Sequence, residues 1–141
     1  MKERAESCMN NIDLMNYWIK SSDDDFVTME VLYKNKQNTW CLYIGQLIIE
    51  KLLKALYARN NKGAPHAPKS HDLLYLAEKA EIELTKEQKV LLDTITKFNL
   101  EARYDDYKES FRQTCTNEYT AEQIRNIKEV RKWLKNLLMT E

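Results

Sequence analysis

Only two glycines and two prolines occur among the 141 residues of the chain. Sheets need turns, and turns depend heavily on glycine and proline, so this scarcity favours long helices over strands. Both prolines and one glycine fall in a single stretch, NNKGAPHAPKS at residues 60–70, which is the one clear loop. Apolar residues make up 43% of the chain and charged residues 31%, an ordinary balance for a protein with a hydrophobic core. We therefore predict one all-α domain spanning residues 1–141.

A first helix is predicted from about Ile12 to Tyr33, because apolar residues recur there at spacings of three and four. A run of three aspartates, residues 23–25, lies within it. If the helix continues through this run, the aspartates lie on its solvent-exposed side; alternatively, Ser21 or Ser22 caps a second short helix. We prefer one long helix. We expect a solvated face rather than a metal site, since consecutive helical residues point in different directions.

The segment from Thr39 to about Arg59 is apolar nearly all round, which indicates a central helix with protein on most of its sides. Gly45 lies inside this segment and costs about 1 kcal/mol of helix stability relative to alanine. A close crossing by another helix is a plausible physical reason for a glycine at this position.

Three further helices are predicted after the loop. A short one covers about residues 71–80, with Ser70 or Asp72 as its cap. Capping boxes at residues 85–88 and 120–123 begin the next helix and the last one. The helix that begins at the first of these boxes has one apolar side, formed by Val90, Leu91, Ile95, Phe98 and Ala102.

The stretch RYDDYKESFRQTCTNEY, residues 103–119, is polar and rich in aromatic residues, and we predict it to be irregular. The fold expected from the whole pattern is an antiparallel up-and-down bundle of four long helices plus one short helix.

The charge, the cysteines and the hydropathy of the chain limit the kinds of ligand, cofactor and cellular location that we expect. The formal net charge is +0, from 22 basic and 22 acidic residues, so only a local patch could attract phosphate. Cys8, Cys41 and Cys115 form no CxxC pair, so we expect reduced thiols rather than a metal or catalytic site. With no zinc site and no phosphate-binding glycine loop, we predict neither a metal nor a cofactor. The chain has no apolar run long enough to span a membrane and no signal peptide, so we expect a cytoplasmic protein.

One polar stripe runs along the otherwise apolar central helix. Gln46, Glu50 and Lys54 recur every fourth position and therefore share a face, with Lys51 beside them. One interpretation is an exposed edge of a buried helix, on which Glu50 and Lys54 form a favourably oriented ion pair. The other interpretation is the wall of a cleft that faces a ligand.

A set of residues in a fixed order resembles one known family. These residues are Trp18, Ser22, Asp25, Leu32, Trp40-Cys41, Gln46-x-x-x-Glu50-Lys51-x-x-Lys54-Ala55-Leu56, Pro65, His71-Asp72-Leu73, Leu76 and Glu101-Ala102-Arg103-Tyr104-x-Asp106. In order and spacing they are similar to the HEPN domain, over about residues 13 to 106, with a plausible final helix behind them.

This resemblance implies that the polar face of the central helix looks toward a cleft, often near a two-fold axis, where a nucleotide or RNA binds. The expected ligand-binding residues are Gln46, Glu50, Lys51, Lys54, His71, Arg103, Tyr104 and Asp106. The lysines and the planar guanidinium of Arg103 can contact phosphate, and Tyr104 and Tyr107 can stack on a base. The resemblance also implies a homodimer and a toxin–antitoxin pairing with a minimal nucleotidyltransferase.

Enzymatic activity stays open. Ribonucleases of the family carry an arginine followed, after four to six residues, by a histidine at the corner where this chain has Arg103. No histidine follows Arg103 at that spacing. Asp105 also stands where the family usually has proline. Arg59 and His66 have the required spacing, but they lie across the loop after the central helix. No catalytic residue is assigned. The alternatives are a metal-independent endoribonuclease toxin that uses Arg103 with a non-standard proton donor, and a non-catalytic protein-interaction module.

Overall fold

The computed structural model describes residues 9–140, and within that range the backbone forms helices and no strand. The helices are α1 (Asn11–Lys34), α2 (Asn38–Asn60), α3 (Leu73–Lys79), α4 (Lys86–Arg103), α5 (Asp105–Thr114) and α6 (Asn117–Met139). The prediction of an all-α bundle is confirmed, and α1 runs without a break through the three aspartates.

α2 is the central helix and packs against each of the other five. The Ser22 hydroxyl of α1 donates to the carbonyl of Ile48, 3.2 Å away. The Cys41 thiol of α2 donates to the carbonyl of Met29, at 3.5 Å. Because the residue numbers of the two contacts run in opposite directions along the helices, α1 and α2 are antiparallel. All four of these residues are fully buried, so the interface between α1 and α2 is part of the hydrophobic core.

The glycine inside α2 lies at a close helix crossing. A methyl group added to Gly45 would overlap Cδ1 of Ile127 in α6 and would lie 3.5 Å from the sulfur of Met29 in α1. Ile127 and Met29 are both fully buried, so the space for a side chain at position 45 is already filled from two sides. The expected reason for this glycine is therefore confirmed.

We expect Gly45→Ala to lower the free energy of unfolding by about 1 kcal/mol, because overpacking outweighs the gain in helix propensity. In an Ile127→Val background the obstructing methyl group is gone, so the same substitution should be neutral or stabilising. Urea denaturation of the four proteins of this double-mutant cycle measures the coupling. An equal loss of stability in both backgrounds would show that Cδ1 of Ile127 is not what excludes a side chain at position 45.

The segment predicted to be irregular instead contains α5. Phe111, which is 2% exposed, anchors this ten-residue helix by stacking on Phe98 of α4, with ring centroids 5.7 Å apart. The start predicted for the last helix was also wrong: Thr116 caps α6 by accepting from the backbone N–H of Tyr119, and Thr120 is buried one turn inside it. Thr120 falls on the apolar face of α6, and that burial overrides its capping preference.

The caps of the two preceding helices follow the prediction. Asp72 caps α3, and a capping box with Thr85 and Gln88 begins α4. One core assignment was wrong: Val90 is 63% exposed, whereas Leu92 is fully buried. The buried residues of α4 include the predicted Ile95, Phe98 and Ala102, together with Leu92 and the polar Asn99.

The aspartate run of α1 makes ion pairs. Asp23 accepts from Lys135 and Arg131 of α6, at 2.6 and 3.2 Å, and Asp25 pairs with Lys51 of α2. The aspartate run, which was expected to be solvated, therefore also connects α1 to α2 and α6 through ion pairs. Among residues 9–140 no group of histidine, cysteine, aspartate or glutamate side chains could hold a metal ion.

Cys41 and Cys115 are free and buried, whereas Cys8 lies outside the described residues. Burial raises the pKa of Cys41 to about 12 and that of Cys115 to about 11, so both thiols stay protonated at neutral pH. Within residues 9–140 no helix has the length and apolar character needed to cross a bilayer.

Candidate functional site

The polar stripe of α2 faces the protein interior. Gln46 is fully buried, Glu50 is 4% exposed, and the side chain of Lys54 is 14% exposed. The ion pair between Glu50 and Lys54 is present, at 3.0 Å, but it does not lie on an exposed edge of the helix. Two adjacent polar side chains at the core of a helical bundle require polar partners, because an unpaired buried polar group costs about 1–3 kcal/mol.

Glu50 accepts hydrogen bonds from three side chains. Its Oε1 atom lies 2.8 Å from Nδ1 of His71 and 3.1 Å from Nε2 of Gln46, and its Oε2 atom accepts from Nζ of Lys54. Burial alone raises the pKa of Glu50, but the hydrogen bond from His71 and the charge of Lys54 outweigh burial and hold the pKa below its ordinary value of 4.5. Glu50 is therefore an ionised carboxylate at neutral pH.

Asn99 of α4 connects this group to Arg103. Nδ2 of Asn99 donates to Oε1 of Gln46 at 2.9 Å, and Nη2 of Arg103 donates to Oδ1 of Asn99 at 2.5 Å. Nε of Arg103 also donates to the backbone carbonyl of Asn99, at 3.0 Å. Two N–H groups of one guanidinium thus hold it against a single buried residue, which fixes its orientation.

An unbroken chain of hydrogen bonds therefore joins Lys54 of α2 to Arg103 of α4. We call its members the polar network: Lys54, Glu50, His71, Gln46, Asn99 and Arg103. Lys54 and Arg103 lie at opposite ends of this network.

Aromatic rings lie beside both ends of the polar network. The guanidinium of Arg103 lies 5.3 Å from the ring of Tyr104 and 5.8 Å from that of Tyr43. At the other end, Nζ of Lys54 lies 5.1 Å from the ring of Trp18. Tyr104 is half exposed, so its ring presents a face to solvent next to Arg103.

Some residues predicted for the site lie outside the polar network. Lys51 is paired with Asp25 of α1. Asp106 is exposed in the first turn of α5, and its side chain forms no hydrogen bond or ion pair with any of the described residues. Arg59, half of the alternative Arg–His motif, donates to the last carbonyls of α6, those of Leu137 and Thr140. Arg59 therefore stabilises the C-terminal end of α6 and does not point toward a ligand site.

Sequence reasoning missed Asn99, although a signal was present. Asn99 directly follows Phe98 and lies four residues before Arg103, so it shares the face of that arginine on α4. An amide on the apolar side of a helix indicates a buried polar partner on a neighbouring helix. Which helix supplies that partner depends on the packing of α4 against α2.

The depressed pKa of Glu50 predicts how stability depends on pH. The unfolded chain binds a proton at this carboxyl near pH 4.5, whereas the folded chain binds it only at lower pH. The stabilisation from ionised Glu50 is therefore complete above that pH and is lost as the pH falls through the folded-state pKa. Urea denaturation from about pH 5.5 downward should show a stability difference between the wild type and Glu50→Gln that shrinks below pH 4.5. A constant difference would contradict the assignment.

The fold and the site together define a helical module that buries a polar network and exposes one of its terminal cations, Arg103. The sequence model of the HEPN domain family matches residues 15–137, which is most of the chain. The protein therefore belongs to the HEPN domain family, a family of helical modules related to nucleotides and RNA. Neither the curated proteins nor the solved structures give a significant match.

Proposed function

We propose that the protein binds a nucleotide or RNA at the polar network, with Arg103 as the exposed cation at one of its ends. The observation that carries this proposal is the way Arg103 is held. Two of its N–H groups are used by Asn99, and it has no carboxylate partner among residues 9–140. A guanidinium that is fixed in orientation but not neutralised is well suited to bidentate contact with phosphate.

The cations in and beside the polar network contribute unequally. Lys54 is paired with Glu50 and Lys51 with Asp25, so each lysine already has a carboxylate within hydrogen-bond distance. Arg103 is the cation whose charge is not offset, and it should supply most of the attraction for phosphate. The exposed ring of Tyr104 adds a surface for base stacking, which is worth about 1–3 kcal/mol per base in other single-stranded sites.

We also propose that the protein is a homodimer and that it acts with a minimal nucleotidyltransferase as a toxin–antitoxin pair. HEPN domains commonly dimerise. Large apolar side chains that are 43–50% exposed occur around the Arg103 corner: Trp40, Leu100, Tyr104 and Tyr107. Such a group of exposed apolar side chains is typical of an interaction surface. A second chain packed there would bring two copies of Arg103 close together.

A second candidate function is metal-independent RNA cleavage, and the hydrogen bond between His71 and Glu50 favours it. Because the Glu50 carboxylate can only accept, Nδ1 of His71 carries the shared proton, which leaves Nε2 to exchange a proton with a ligand. A buried carboxylate that orients a histidine is the arrangement used in catalytic dyads and triads. In this function Arg103 would stabilise the phosphate charge and His71, whose side chain is 58% exposed, would move the proton.

Titration of a fluorescein-labelled single-stranded RNA, followed by anisotropy at several salt concentrations, tests the binding proposal. We expect binding that weakens with salt, with a slope near −0.7 for each phosphate contacted. ATP as competitor distinguishes a mononucleotide site from a strand site. If neither RNA nor ATP binds, the proposal fails, and the remaining interpretation is a protein-interaction module.

The labelled RNA also tests cleavage. If His71 moves a proton, the wild type should cut the RNA without added metal, and His71→Gln should reduce the cutting rate about 100-fold or more while retaining RNA binding. His66→Gln is the matched control, since His66 lies exposed in the loop before α3. Equal loss in both variants, or no cutting by the wild type, would rule out this second function.

A further inference from the structure

A cleft of about 310 Å³ lies between the start of α2 and α5, outside the polar network. We call it the basic cleft, because its charged lining residues are Lys36, Lys108 and Arg112, and no carboxylate of residues 9–140 is among the residues that line it. The chain as a whole has as many acidic as basic residues. Three cations around one concave surface therefore represent a local excess of positive charge.

The cations of the basic cleft are only weakly offset by neighbouring charges. Lys36 and Arg112 form no ion pair with any described residue. Lys108 contacts Asp105 at 3.9 Å, but that aspartate side chain is 99% exposed, and an exposed ion pair of this kind contributes little. The charge of Glu101 reaches Cys115 in the lining of the cleft, but no carboxylate of the described residues lies within ion-pair distance of Lys36 or Arg112.

Backbone groups at the start of α2 also border the basic cleft. Gln37, the residue before α2, makes no side-chain hydrogen bond to the helix end. The N–H groups of Asn38, Thr39 and Trp40 belong to the first turn of α2 and have no acceptor within the helix. All of these residues line the cleft, so the start of α2 and the cationic side chains border the same space.

We propose that the basic cleft binds a phosphate group of a nucleotide or of a nucleic-acid strand. Arg112 and Lys36 contact the phosphate, with Lys108 at the edge. The indole of Trp40, which is 43% exposed, provides a ring on which an attached base can stack. This site shares no residue with the polar network, so it can exist whether or not Arg103 binds a ligand.

The basic cleft also adjoins the Arg103 end of the polar network. Trp40 packs edge-on against Tyr43, with ring centroids 5.8 Å apart, and Tyr43 lies 5.8 Å from the guanidinium of Arg103. One row of aromatic rings therefore connects the two cationic regions. A single strand can place one phosphate in the basic cleft and another at Arg103, whereas a free nucleotide would occupy the cleft alone.

Two-dimensional amide NMR of the full chain tests this site directly. Addition of ATP or of a short single-stranded RNA should shift the amide signals of Asn38, Thr39 and Trp40 at the start of α2. Shifts with ATP would identify a free nucleotide as a source of the phosphate, and shifts with RNA alone would identify a strand. Unmoved signals with both ligands, or equal shifts with sodium sulfate at the same ionic strength, would overturn the proposal.

A pair of charge-matched variants distinguishes binding at this site from non-specific electrostatic attraction of the ligand to the protein. Lys36→Gln combined with Arg112→Gln should weaken binding of the ligand at least fivefold. Lys132→Gln combined with Arg125→Gln removes the same charge from exposed positions on α6 and should weaken it less than twofold. Equal weakening in the two double variants would overturn the proposal. Failure of Arg103→Gln to affect binding would instead count against the function proposed above and leave the basic cleft in place.

Discussion

Arg103→Gln is expected to weaken RNA binding by about tenfold to one hundredfold. Hydrogen bonds to a charged group contribute roughly 1.5–3 kcal/mol, and each 1.4 kcal/mol corresponds to a factor of ten in affinity. The effect should be near the upper end of this range because the guanidinium is already oriented by Asn99, so little conformational entropy is lost on binding. Anisotropy titration of labelled RNA at one fixed salt concentration gives the ratio of dissociation constants.

Two control variants define what Arg103 contributes. Arg103→Lys retains the charge but loses the planar fork, so it should recover only part of the affinity. Arg125→Gln removes one positive charge from an exposed position on α6 and should change the affinity less than twofold. If Arg103→Gln and Arg125→Gln weaken binding equally, net charge rather than a defined site governs binding, and the site assignment is wrong.

Glu50→Ala is expected to lower the free energy of unfolding by about 3–5 kcal/mol, the largest loss of stability that we predict. The substitution removes the acceptor of three side chains and leaves the ammonium group of Lys54, which is mostly buried, without its carboxylate. The remaining polar atoms then have neither their partners nor free access to water. Urea denaturation followed by circular dichroism measures the change.

An exposed ion pair with the same spacing is the matched control for Glu50→Ala. Asp93 and Lys97 lie four residues apart on α4, 3.8 Å from each other, and both side chains are 60% exposed. Because water screens this pair, Asp93→Ala should cost less than about 0.5 kcal/mol. If Glu50→Ala costs no more than Asp93→Ala, Glu50 does not organise a buried network.

Local patterns in the sequence were sufficient to predict most helices and one face of the site. A spacing of four residues is enough to place Gln46, Glu50 and Lys54 in one line along a helix. The observed limits of α1 and α2 lie within two residues of the predicted ones. The error at the start of α6 arose because Thr116 and Thr120 both carry capping signals. Local sequence cannot decide between them, whereas the burial of Thr120 in the assembled bundle does.

Contacts between distant segments could not be predicted in the same way. The contact of Asn99 with Gln46 joins residues 53 positions apart and depends on how α4 packs against α2. The basic cleft combines side chains from the turn between α1 and α2, the start of α2 and α5. α5 itself was missed because Phe111 is its one buried residue. A single buried ring gives no periodic signal, so the cleft was not foreseeable.

Our central claim is that the polar network holds Arg103 in place for a phosphate of the ligand. Nitrogen-detected or proton-detected NMR of the Arg103 Nε–H group during titration with single-stranded RNA tests this most directly. We expect that signal to shift in step with the amide signals of Asn99 and Tyr104, and to saturate at the RNA concentration that saturates anisotropy. If the Arg103 Nε–H signal stays unchanged while the RNA binds, the ligand lies elsewhere and the claim is wrong.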